Sequence, residues 1–159
     1  MDAEEITEIL RKCELFGELS DEEINFIAQL GCIEKFETGE AIYKQGSLGT
    51  KLYILSEGQV SLERKTELRD NRKANVTVFV LRELPSRRLM GCWGMLVGER
   101  HVQMCSAVCD KPTKVVSIRC SDLKEVITKH STLRLKILEK LVRLLRDRID
   151  SSYGAMETL

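Results

Sequence analysis

Gly39-Glu40-Ala41-Ile42-Tyr43-Lys44-Gln45-Gly46-Ser47-Leu48-Gly49-Thr50-Lys51-Leu52-Tyr53-Ile54-Leu55-Ser56-Glu57-Gly58 is the stretch that decides the fold. Two short apolar runs, 41–44 and 52–55, alternate with turns that carry glycine. Runs of that length bounded by glycine read as strands, and strands at near-regular spacing read as a barrel or sandwich. Residues 32–36 form a further strand upstream, and Glu37-Thr38-Gly39-Glu40 reads as a hairpin turn between it and 41–44. Residues 60–63 continue the array downstream.

Outward from this array the period changes. Ile6, Ile9 and Leu10 fall on one face of a helix over 3–13. Ser20-Asp21-Glu22-Glu23 is a capping box: Ser20 accepts from the Glu23 amide, and the Glu23 carboxylate reaches back. Ile24, Ile27, Ala28 and Leu30 supply the buried stripe, and Gly31 is placed to end that helix. Residues 66–75 are charged and aperiodic, which reads as an exposed loop. Residues 76–82 are apolar on both sides, so they form a well-buried strand. Strands at 108–109 and 115–119 follow, separated by the turn Asp110-Lys111-Pro112.

After Ser121 the chain returns to helix. Leu123, Val126 and Ile127 mark a short amphipathic piece, and Ser131 caps a last helix running to about Asp150. Leu135, Leu138, Val142, Leu145 and Ile149 are spaced three, four, three, four, a heptad seam. Leu133, Ile137, Leu141 and Leu144 form a second row. One row can pack on the chain's own barrel, leaving the other for a partner; the alternative is one broad stripe buried within the monomer. Residues 151–159 read as a frayed tail.

Between the strands lies Met90-Gly91, followed by the apolar run Cys92-Trp93-Gly94-Met95-Leu96-Val97. One helical turn after a glycine presents unpaired backbone N–H groups, which suit a phosphate. The plain alternative is a tight connection between two strands.

The totals set limits. A length of 159 residues suits one domain, with 1–31 as N-terminal helices, 32–119 as the strand region, 121–150 as C-terminal helices and 151–159 as tail. Basic and acidic residues number 25 each, so no net field steers the molecule to nucleic acid or membrane. No run approaches the roughly 18 apolar residues that span a bilayer. The acidic start lacks a secretory segment, and the six cysteines show no Cys-x-x-Cys pair. The expectation is a cytoplasmic protein with small buried thiols. No nucleophile–base pair, Walker loop or Gly-x-Ser-x-Gly motif is present, so an enzyme is not expected.

The order of elements resembles the cyclic-nucleotide-binding domain over residues 12–150. This is the sensory module of catabolite-activator regulators, kinase regulatory subunits and nucleotide-gated channels. The residues that carry the resemblance are Leu15-Phe16, Leu19-Ser20, Gly39-Glu40-Ala41-Ile42, Gln45-Gly46, Gly49, Leu52-Tyr53-Ile54-Leu55, Gly58, Val60, Leu84 and Met90-Gly91. It implies a mainly β protein with flanking helices, built on an eight-stranded β-roll, a double-stranded β-helix of jelly-roll type. It also implies a phosphate-binding cassette and a C-terminal helix that caps the base and often dimerises. In the family a glutamate right after the cassette glycine takes the ribose hydroxyl, and a later arginine pairs with the phosphate. Here those positions fall on Cys92 and on Val102 or Gln103. A lost charge-assisted bond to phosphate costs about 1.5–3 kcal/mol. No cofactor is called for with certainty, and a cyclic nucleotide is the ligand the resemblance implies.

The candidate ligand residues are therefore Met90, Gly91, Cys92, Trp93, Gly94, Arg100 and Gln103. The amides of 91–94 are the receptor, and Arg100 is the available counter-charge. Trp93 either stacks on a base or fills the space a base would take. Arg87, Arg88, Arg100 and His101 also read as solvated loop residues. The functional expectation is a regulatory domain acting through protein–protein contacts of its C-terminal helix, with a homodimer over 133–150. A ligand-blind interaction module that keeps only the fold is the alternative. A redox or metal sensor using Cys92, His101, Cys105 and Cys109 is a third reading, weighed against buried thiols. The basic residues of the last helices read as flanks of a coiled-coil seam rather than a nucleic-acid surface, and no DNA-binding domain is expected.

Overall fold

The structure, a computed structural model, describes residues 2–157 apart from 68, 86, 93–95 and 97–100, with the backbone alone at 101, 152 and 155–157. Two helices, α1 (Asp2–Lys12) and α2 (Asp21–Ala28), precede the strands β1 (Gly31–Phe36), β2 (Ala41–Tyr43), β3 (Leu48–Gly49), β4 (Lys51–Glu57), β5 (Val60–Glu67), β6 (Lys73–Leu81), β7 (Leu89–Gly91), β8 (His101–Val102), β9 (Ser106–Cys109) and β10 (Thr113–Arg119). Helices α3 (Cys120–Lys129) and α4 (Ser131–Glu157) complete the chain. The strands form two four-stranded antiparallel sheets, β1-β10-β4-β7 and β2-β9-β5-β6, with a two-residue ladder between β3 and β8. This is the expected eight-stranded roll with flanking helices.

Alternation along the strands builds two cores. On β4, Leu52 and Ile54 face the helices, whereas Leu55 and Tyr53 face the inside of the roll. On β10, Val116 and Ile118 face the helices and Val115 faces inward; on β7, Leu89 and Met90 divide the same way. One sheet is thus buried on both faces, which explains its nearly continuous apolar runs. The helical side is closed by Ile6, Ile9 and Leu10 of α1, Ile24 and Ile27 of α2, and Leu133, Ile137, Leu141 and Leu144 of α4. The capping box forms as expected: the Glu23 amide donates to Ser20 Oγ at 3.2 Å, and the Ser20 amide donates to Glu23 Oε1 at 2.9 Å.

Several local expectations are corrected. Residues 37–40 are not a hairpin turn, because β1 pairs with β10 and β2 with β9. The segment carries the chain from one sheet to the other, and the Gly39 amide donates to the Cys109 carbonyl at 2.8 Å. Residues 66–75 are not all loop: the β5–β6 ladder runs out to Glu67 opposite Lys73. Backbone pairing holds that hairpin arm without any apolar period. Strand β6 is an edge strand with half-buried residues rather than one buried on both faces. Gly31 opens β1 rather than ending α2. Ser131 is the first helical residue of α4, and the His130 carbonyl accepts from the Arg134 amide at 2.9 Å. Helix α4 continues to Glu157, so 151–157 are helical rather than frayed.

Candidate ligand site

The site is built from the end of β7. Gly91 lies opposite Leu52 with φ at 107°. A Cβ there would stand 2.5 Å from the Lys51 carbonyl oxygen, so only glycine fits. The Cys92 amide donates to that same oxygen at 3.0 Å. Its N–H therefore closes a sheet contact instead of facing outward as a phosphate donor. The Cys92 carbonyl is taken as well, by the Cys120 thiol at 2.9 Å, at the start of α3.

Cys92 stands where the resemblance implies a glutamate, and Gln103 is one of the two candidates, with Val102, for the arginine position. Cys92 and Gln103 are buried, and Gln103 is only 4% exposed. A Cβ placed on Gly49 would lie 2.7 Å from Gln103 Nε2 and 2.8 Å from the Cys92 Cβ. The two side chains therefore pack together over Gly49. Backbone bonds fix Gln103 further: its amide donates to Ser47 O and its carbonyl accepts from Gly46 N, both at 2.8 Å. Val102, the other candidate for the arginine position, is exposed. Met90 faces the roll interior. Trp93, Gly94 and Arg100 lie outside the described residues, as does the His101 side chain.

Inside the roll, Tyr43 and Tyr53 stack with ring centroids 5.9 Å apart. Burial pushes the Tyr43 phenol up, against the smaller opposing pull of Arg148 and of the Gly91 amide. Burial also raises Tyr53. Arg148 of α4 stands over the Phe79 ring of β6 at 4.0 Å from the centroid, and donates to the Leu89 carbonyl at 2.7 Å. Its guanidinium also meets the Glu14 carboxylate at 3.4 Å. Burial lowers its pKa, with Glu14 and Tyr43 pulling the other way; arginine stays charged throughout the accessible range.

Arg88 departs from the solvated reading. It is buried and donates to the Leu55 and Ser56 carbonyls at 3.0 and 3.1 Å. Arg87 stands 4.9 Å from the Phe79 ring centroid. Tyr43, Tyr53, Phe79, Glu14 and Arg148 were absent from the sequence-derived set. A signal for Arg148 was present, because it lies four residues after Leu144 and so extends the buried row of α4.

Burial shapes the described thiols. Burial pushes Cys120 up to about 12, and raises Cys13, Cys105 and Cys109 as well. Among the described residues no group of three or more His, Cys, Asp and Glu side chains converges on a metal position.

The family described as "Cyclic nucleotide-binding domain" matches residues 33–130. The global nitrogen regulator of Synechococcus elongatus is 28% identical over 127 residues, 80% of this chain and 52% of the regulator. The chain spans about half the length of that curated relative. A cyclic nucleotide-binding domain from Methylobacillus flagellatus superposes with a TM-score of 0.77 at 22% identity, over 98% of this chain and 83% of that one. The N-terminal domain of a transcriptional regulator from Streptomyces coelicolor superposes with a TM-score of 0.67 at 20% identity, over 90% of this chain and 94% of that one. Those two structures share the fold. No helix among the described residues is long and apolar enough to cross a membrane. With the roll and the flanking helices in place, the match over residues 33–130 shows that the chain belongs to the cyclic nucleotide-binding domain family.

Proposed function

We propose that this chain is a regulatory module that signals through protein–protein contacts of α4, as a homodimer in the cytoplasm. The observation that carries the proposal is the division of α4 into two apolar rows. Leu133, Ile137, Leu141 and Leu144 are buried in the chain's own core. Leu135, Val142, Leu145 and Ile149 face outward, Val142 at 67% exposure, with Tyr153 beyond them and Leu138 half-buried among them. A heptad-spaced apolar seam is complementary to a second copy of itself, which makes a two-fold pairing of α4 the natural occupant. Six free cysteines, four of them buried, support a reducing compartment. Sedimentation velocity tests the proposal. The wild-type protein should sediment as a dimer and Val142→Asp as a folded monomer. A wild-type monomer at high micromolar concentration overturns it.

A second reading concerns the ligand. The Cys92 amide is held by Lys51, and Cys92 and Gln103 are neutral, buried and packed on Gly49. These observations favour a domain that keeps the fold without the ordinary cyclic-nucleotide contacts. A ligand that binds the folded state raises the unfolding temperature by mass action. Thermal unfolding with millimolar cyclic AMP, cyclic GMP and cyclic dinucleotides separates the readings. A shift of several degrees supports sensing, and no shift with any of them supports the ligand-blind module.

A further inference from the structure

Strands β6 and β7 are edge strands of the two sheets. One side chain of α4 touches both strands. The Arg148 guanidinium lies over Phe79 of β6, donates to the Leu89 carbonyl of β7, and pairs with Glu14 from the turn between α1 and α2. Glu14 is itself 3% exposed, and its two oxygens accept from the Arg88 amide at 3.3 and 3.1 Å. A buried cation is tolerated only when it is paired and hydrogen-bonded, and each of these contacts supplies part of that. The Arg148 charge also reaches Tyr43 inside the roll.

Beyond Leu144, Arg148 and Ser151 are the half-buried side chains among the described residues of α4. Leu145, Arg146, Asp147, Ile149, Asp150 and Tyr153 are all exposed. Helical segments of this length are marginal without tertiary contacts.

We infer that Arg148 latches the far half of α4 to the roll, bridging Phe79 of β6 and the Leu89 carbonyl of β7. Any group that comes to rest against Phe79 and the Leu89 carbonyl has to displace the guanidinium. The far half of α4 is released with it. This rests on the reading of α4 as the output element, since a held or freed α4 is what a partner would sense.

The test is hydrogen exchange in the Val142→Asp background, where pairing of the seam does not mask the latch. In Arg148→Ala, amides over 145–157 should exchange about tenfold faster or more. Those over 133–144 and in β10 should keep their protection. Millimolar guanidinium, which is planar and donates N–H groups, should restore protection where tetramethylammonium does not. Unchanged exchange over 145–157 in the folded variant overturns the latch. Should Arg148→Ala fail to fold, Arg148→Lys decides: it keeps the charge and loses the planar fork, so intermediate protection is expected and full protection overturns the inference. Sedimentation of Arg148→Ala with Val142 intact reports separately on pairing, so failure of the dimer and failure of the latch are read independently.

Discussion

Cys92 and Gln103 press on the same point of the roll, the Cα of Gly49, where no Cβ could be accommodated between them. The family resemblance implies a carboxylate at the first position and an arginine at the second or at Val102. Here a thiol side chain and an amide side chain pack together over that Cα.

Rebuilding the charged pair therefore has a coupled outcome. Cys92→Glu alone places an uncompensated carboxylate in a buried space and should destabilise the domain by about 3 kcal/mol or more. Adding Gln103→Arg should recover part of that loss, with a coupling energy of about 1–3 kcal/mol. Urea midpoints of the two single variants and the double variant check this. Additive losses would show that the two side chains do not share a site.

Gly91 is fixed by two separate constraints, its positive φ and the closeness of the Lys51 carbonyl. Gly91→Ala should destabilise by roughly 3 kcal/mol, combining backbone strain and overpacking. Gly39 also has a positive φ but nothing near its missing Cβ. Gly39→Ala should cost only the strain, about 1 kcal/mol. Denaturant unfolding of both variants separates the two contributions.

The two rows of α4 should respond oppositely to truncation. Ile137 has no exposed surface, so Ile137→Ala should cost about 2–5 kcal/mol of stability. Val142→Ala should change the stability of the monomer by no more than about 0.5 kcal/mol. Its effect should instead be weaker self-association, read by sedimentation.

Acid should loosen the contact between α4 and α2. The Lys136 ammonium bonds Glu23 at 2.8 Å and, with the Ser20 amide, holds that carboxyl below its ordinary 4.5. A carboxylate lowered in the folded state contributes stability that is full above its unfolded value. That stability is lost as pH falls through the folded value. Wild-type stability should therefore drop below about pH 4.5. Glu23→Gln, which keeps an acceptor for the Ser20 amide, should show a shallower drop. Thermal unfolding across that range checks it. The Glu18 carboxyl, lowered chiefly by Lys140, titrates in the same direction.

Much of the fold was legible because its causes are local. The capping box at Ser20 needs only residues three apart, and glycine spacing marks where strands turn. The two rows of α4 follow from helical periodicity, and the buried row proved to be the one beginning at Leu133. What misread was pairing. The turn at Gly39 looks like a hairpin from its own residues, yet strands far along the chain, β9 and β10, claim its two flanks. The charged arm of β5 and β6 has no apolar period, and only its ladder shows it to be sheet.

The sequence by itself determined the helices and the strand-rich middle, since each depends on neighbours within a few residues. Tertiary structure alone decided that Cys92 and Gln103 meet over Gly49, that Arg88 is buried, and that Arg148 meets Phe79, the Leu89 carbonyl and Glu14 together. The environment of each of these side chains is assembled from segments distant in sequence. The period of α4 places Arg148 on its buried side, and that assembly sets which groups, Phe79, Leu89 and Glu14, it meets there.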